Sequence, residues 1–115
     1  MLSADFDGDR RADWAGLGMK TTGEWAILVA YNREDGWRAG NVDMGPKEQT
    51  PTSLALLPSG RHDRHSSCAG ALAPHERESF ESPLPGVIAA GPIGRKAYQL
   101  GPHAWGFVCM GSGQP

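Results

Sequence analysis

Sixteen glycines and nine prolines punctuate this chain, 25 of 115 residues, and no other feature limits the fold so strongly. Glycine loses backbone entropy inside a helix and proline removes an amide donor, so this density breaks helices and favours short strands joined by turns. The length suits one core and one domain, residues 1–115. An all-β or mainly β fold is expected, a small antiparallel meander.

The apolar runs place the strands. Trp14–Met19 reads as a first strand and Lys20–Glu24 as a hairpin turn carrying Gly23. Trp25–Tyr31, "WAILVAY", is almost wholly apolar and reads as a central strand covered on both faces. Asn32, Asp35 and Gly36 offer a turn before Trp37–Met44, which alternates apolar with polar residues. Together with the acidic opening, residues 1–44 form the first part of the domain. Ser53–Leu57 suits a strand or one helical turn. Residues 58–83 show no sustained period and read as a long irregular loop, a length that calls for an anchor. Gly86–Gly91, Lys96–Leu100 and Ala104–Met110 finish the chain as strands within residues 86–110.

The stretch "ADFDGDRRADW" sets Asp5, Asp7, Asp9 and Asp13 at relative positions 1, 3, 5 and 9. Carboxylates so close repel unless a cation neutralises them or water separates them. This alternation lets a tight loop aim oxygen ligands inward, which suits a hard cation such as Ca2+, with the Arg11 carbonyl as the backbone ligand. A plain acidic surface turn is the alternative.

The formal charge of −2 comes mostly from that loop, since residues 51–115 carry five basic and four acidic side chains. No basic stripe interleaved with aromatics appears, so nucleic acid is a poor partner. No apolar run approaches a membrane span, and Met1-Leu2-Ser3 leads into the acidic loop without a signal-peptide core. A periplasmic or secreted protein with its signal removed is nevertheless expected, because calcium is plentiful outside the cytosol and because of two distant cysteines. Cys68 and Cys109 are expected to be joined, with two buried free thiols as the alternative.

The run D-x-D-G-D-x-x-x-D followed by strand, turn and strand resembles the FG-GAP and VCBS repeats of surface proteins, over residues 3–44. In those repeats such aspartates hold calcium between two strands of a propeller blade. Loop position 6, usually Gly there, is Arg10 here. One copy excludes a complete propeller. The layout is similar to small bacterial envelope proteins that include inhibitors and immunity-type proteins acting against toxic or cell-wall hydrolases. The resemblance thus implies a non-catalytic calcium-binding domain with a protein partner. The alternative is a structural or adhesive fragment of a repeat-containing surface protein.

Catalysis finds little support. His62, His65, Cys68 and His75 could be read as zinc ligands, but their spacing fits no recurring knuckle. Cys68 lacks the setting of an activated nucleophile, and Glu76, Glu78 and Glu81 lack apolar surroundings that would raise a pKa. Arg61, His62, Arg64 and His65, with His103 and Trp105 beside a Gly-Pro turn, are instead expected to form an exposed rim that binds a partner.

Overall fold

The turn residues and apolar runs combine into ten strands in a computed structural model, which describes residues 1–68, 70–92, 94–101 and 104–111. Strands β1 (Leu2–Ala4), β2 (Asp13–Met19), β3 (Trp25–Arg33) and β4 (Gly36–Gly45) form an antiparallel sheet in chain order. The turn at Gly23, φ +91°, is closed by its N–H donating to the Lys20 carbonyl at 2.9 Å. After a 3-10 turn at Lys47–Gln49 come β5 (Ser53–Leu57), β6 (Gly60–Asp63), β7 (Ser79–Ser82), β8 (Gly86–Gly91), β9 (Gly94–Leu100) and β10 (Trp105–Cys109). The second sheet runs β10-β9-β8-β5, also antiparallel, and β6 pairs with β7 separately. The fold is all-β and mostly antiparallel, with no closed barrel among the described residues.

One core joins the two sheets. Trp25, Ile27, Val29 and Tyr31 alternate along β3 and pack with Val87 and Ala89 of β8, Tyr98 of β9, and Trp105 and Phe107 of β10. Each large side chain buried here contributes about 1.5–3 kcal/mol relative to exposure. Two hydrogen bonds cross the core: Trp105 Nε1 donates to Tyr31 Oη at 2.8 Å, and Tyr98 Oη donates to Asp43 Oδ2 at 2.5 Å. A bulge puts Asp43 in reach, because the β3–β4 pairing jumps from Ile27↔Asp43 to Leu28↔Asn41 and leaves Val42 as the extra residue. Burial and the Asp43 carboxylate push the Tyr98 phenol well above its ordinary pKa, so it stays a donor.

Three expectations change. β3 is not covered on both faces: Leu28, opposite Gly16 and Asn41, is 49% exposed. Its continuous apolar run arises because the outward residues Ala26, Leu28 and Ala30 are apolar too. Ser53–Leu57 is a strand, paired with β8. The 58–83 stretch is irregular only between its ends, since Gly60–Asp63 and Ser79–Ser82 pair as β6 and β7. Both are polar, and long-range pairing of polar strands leaves no period in the sequence.

The middle of that stretch runs along the free edge of β10. His65 N–H donates to the Cys109 carbonyl at 2.8 Å, Arg77 N–H to the Phe107 carbonyl at 2.8 Å, and Phe107 N–H to the His75 carbonyl at 2.9 Å. A Cβ at Gly106 would stand 3.2 Å from Arg77 Nε and from the His75 carbonyl oxygen. The Cys68–Cys109 disulfide fastens the same segment to the last strand. Val108 and Ala97, which point away from the shared core, are also buried.

A candidate metal centre in the acidic loop

The loop between β1 and β2 turns because its own side chains hold it. Asp5 Oδ1 accepts from the Gly8 N–H at 2.8 Å and Oδ2 from the Arg10 N–H at 2.8 Å. Asp9 Oδ1 accepts from the Arg11 N–H at 2.9 Å. Two left-handed residues make the bend, Gly8 at φ +81° and Arg10 at φ +69°. Loop position 6 therefore has the positive φ for which glycine is the usual choice, and Arg10 adopts it at a cost of about 1 kcal/mol.

Asp13, the first residue of β2, anchors the loop from beneath. It is fully buried, and its two oxygens accept from the Phe6 N–H at 3.0 Å and the Asn32 N–H at 2.9 Å. Phe6 points the opposite way from its acidic neighbours and is wholly buried, its ring edge-on to Trp105 at 6.0 Å between centroids. One apolar residue among the aspartates thus plugs the loop into the core. Phe6, Asn32 and Arg33 are the parts of the site that sequence reasoning missed. The alternation of Phe6 with Asp5 and Asp7 was a usable signal, whereas Asn32 and Arg33 arrive from β3 with none.

Asp5, Asp7, Asp9 and Asp13 each offer a carboxylate oxygen, and the four oxygens lie within 4.8 Å of one another. Burial and the neighbouring Asp13 charge push the Asp7 carboxyl up to about 6, even with Arg33 Nε at 3.4 Å from Asp7 Oδ2. At Asp5, burial acts upward, but the Arg10 and Gly8 N–H donors outweigh it and hold the carboxyl below its ordinary value. With Arg33 as the cation paired to it, the cluster keeps net negative charge in a partly buried place. Its donors are oxygen only, each carboxylate oxygen keeps a lone pair beyond its N–H bond, and Asp9 and Arg11 line an open groove with Arg33, Glu34 and Asp35. This set fits a hard metal ion.

The other suggested chemistry does not assemble. Cys68 is in a disulfide and is neither a nucleophile nor a zinc ligand. Among the described residues, the four aspartates are the only group of metal-ligating side chains close enough to share an ion.

The expected rim is also rearranged. Trp105 lies in the core at 8% exposure, because its indole N–H finds Tyr31 across the sandwich. His103 lies outside the described residues. Arg61 and His62 belong to β6, where Arg61 Nε meets Asp63 Oδ1 at 3.0 Å and His62 Nε2 donates to the Pro58 carbonyl at 2.8 Å. Arg64 is mostly buried, with Nε 3.1 Å from Glu76 Oε2 and Nη1 donating to the Gly70 carbonyl at 3.2 Å. His65 Nδ1 accepts from the Ser67 N–H at 3.0 Å. Arg64 and His65 thus fasten the segment that runs along β10, and Arg61, His62 and His65 keep exposed surface beside it.

No protein-family model, curated protein or solved structure matches the chain. Among the described residues no helix is long and apolar enough to cross a membrane. The disulfide is consistent with an oxidising compartment.

Proposed function

We propose that the acidic loop binds calcium and that the domain it staples is a non-catalytic, periplasmic or secreted binding module, similar to a single FG-GAP/VCBS repeat. The carrying observation is the convergence of four carboxylate oxygens within 4.8 Å on a loop already bent to hold them. Asp5, Asp7, Asp9 and Asp13, with the Arg11 carbonyl, would hold the ion. Its charge would offset the repulsion that raises Asp7, and it would lock the loop to the ends of β2 and β3. Calcium is preferred over magnesium because a loop of carboxylates and a carbonyl tolerates irregular coordination, whereas magnesium demands a near-ideal octahedron and sheds its waters reluctantly.

The metal in this reading is structural. Function lies in recognition of a protein partner, with inhibition of, or immunity to, an envelope hydrolase as the role. The disulfide-linked cysteine and the scattered histidines support a module without a catalytic centre. Arg61, His62 and His65 remain as the partner surface after Trp105 and Arg64 are assigned to packing.

Thermal unfolding tests the metal reading. Calcium is expected to raise the Tm of chelator-treated protein, magnesium to raise it much less, and Asp7→Ala to erase the difference. Equal melting in calcium and in chelator would make the loop an acidic turn and nothing more.

A further inference from the structure

We propose that two copies of this chain pair face to face through the outward side of the β1–β4 sheet. The register puts Trp14, Leu28, Trp37 and Met44 on that side, exposed by 44%, 49%, 56% and 40%. Between them Gly16, Gly18 and Ala30 keep the floor low, and a hollow of about 320 Å³ opens there, with Met1 at its margin. The positions facing outward along β2, β3 and β4 carry no charged side chain. Apolar protrusions beside an apolar hollow, rich in Trp and Met and free of charge, make up the centre of an interface and not a solvated sheet face.

Size and charge favour a second copy as the occupant. Four strands about 4.8 Å apart and roughly seven residues long at about 3.3 Å each give a face on the order of 440 Å² in projection. Pairing two such faces removes about 1,000 Å² from water once side-chain relief is included, the lower bound for a specific interface. Symmetric pairing also lets one surface supply both the protrusion and the hollow that receives it. Lys20 marks one end of the face, its Nζ 3.3 Å from Met44 Sδ, and the β3–β4 turn marks the other with Glu34 and with Asp35, which Arg38 Nη2 already meets at 2.8 Å. A two-fold axis running across the strands brings the Lys20 end of each copy over the Glu34 end of its mate. The neutral centre needs no complementary charge from a foreign partner.

Sedimentation velocity from about 5 μM to about 500 μM decides the matter, a range that spans dissociation constants suited to an interface of this size. The wild type is expected to pass reversibly from monomer to dimer. Leu28→Lys, on the exposed centre, should raise the dissociation constant at least about tenfold, and Leu72→Lys, exposed elsewhere, should not. As a readout without mutation, Trp fluorescence should shift to the blue over the same range as Trp14 and Trp37 are covered. A monomer throughout overturns the proposal, and so does a dimer that Leu28→Lys leaves intact. A monomer that binds neutral phosphatidylcholine vesicles would give the face to lipid and also overturn it.

Discussion

The two sheets share a core, yet their outward sides are finished by different means. Behind β9 and β10, Ala97 and Val108 are fully buried, and an irregular segment pairs along the free edge of β10. Behind β2 to β4, Trp14, Leu28 and Trp37 stand in solvent. That segment is held by backbone hydrogen bonds to β10, by Arg64 with Glu76, and by the disulfide. The open sheet is instead fastened at its end, where Asp13 and Phe6 tie the acidic loop to β3 and the core. Stability is invested along an edge in one sheet and in a corner in the other. An apolar outward face is thus not by itself a core, since one of the two is buried and the other is exposed.

Removing the covalent tie should have the largest effect. Closing a segment with a sequence separation of 41 is worth about 4 kcal/mol in the chain-entropy model, so the double variant Cys68→Ser, Cys109→Ser should lose stability on that order in urea melts. It should also bind an apolar dye before unfolding, as the segment paired with β10 comes away from the last strand. A loss below about 1 kcal/mol would mean that hydrogen bonding holds the segment unaided.

Next comes the corner. Asp13→Ala leaves one buried and one part-buried N–H donor without an acceptor and should cost about 3 kcal/mol in chelator, and more in calcium, where a ligand is lost as well. Asp9→Ala, at an exposed ligand position, should cost little in chelator and remove only the part of stability that calcium adds. Equal losses for both would dissolve the distinction between anchor and ligand.

Smaller effects sharpen the picture. Arg10→Gly should stabilise by about 1 kcal/mol, because it relieves the left-handed strain at φ +69° without removing a contact the loop depends on. Denaturant melts in chelator read this directly, and a loss of stability would show that the Arg10 side chain supports the bend. Leu28→Lys should shift monomer stability by no more than about 0.5 kcal/mol, as expected for a solvent-exposed side chain. A large loss would mean that the open face is packed within one copy.

Strands were legible where apolar residues and turn signals coincide, as at Trp25–Tyr31 and Gly86–Gly91. The acidic loop was legible from the spacing of four aspartates, and its strained sixth position from Arg10. What escaped depends on contacts distant in sequence. Trp105 beside a Gly-Pro turn reads as exposed, yet Tyr31, 74 residues away, supplies its acceptor. The pairing of Gly60–Asp63 with Ser79–Ser82 is set by tertiary fit, since neither piece has an apolar face to register it. An apolar run such as Trp25–Tyr31 does not say whether its second face is filled, because that depends on where the rest of the chain is left lying.

In the proposed function the four aspartates hold one calcium ion. Equilibrium dialysis of chelator-stripped protein against about 1 mM calcium, followed by elemental analysis, measures it without reference to stability or partner. One calcium per chain is expected in the wild type and none in folded Asp7→Ala. Wild-type protein that retains no calcium, or an Asp7→Ala variant that retains as much as the wild type, would contradict that reading.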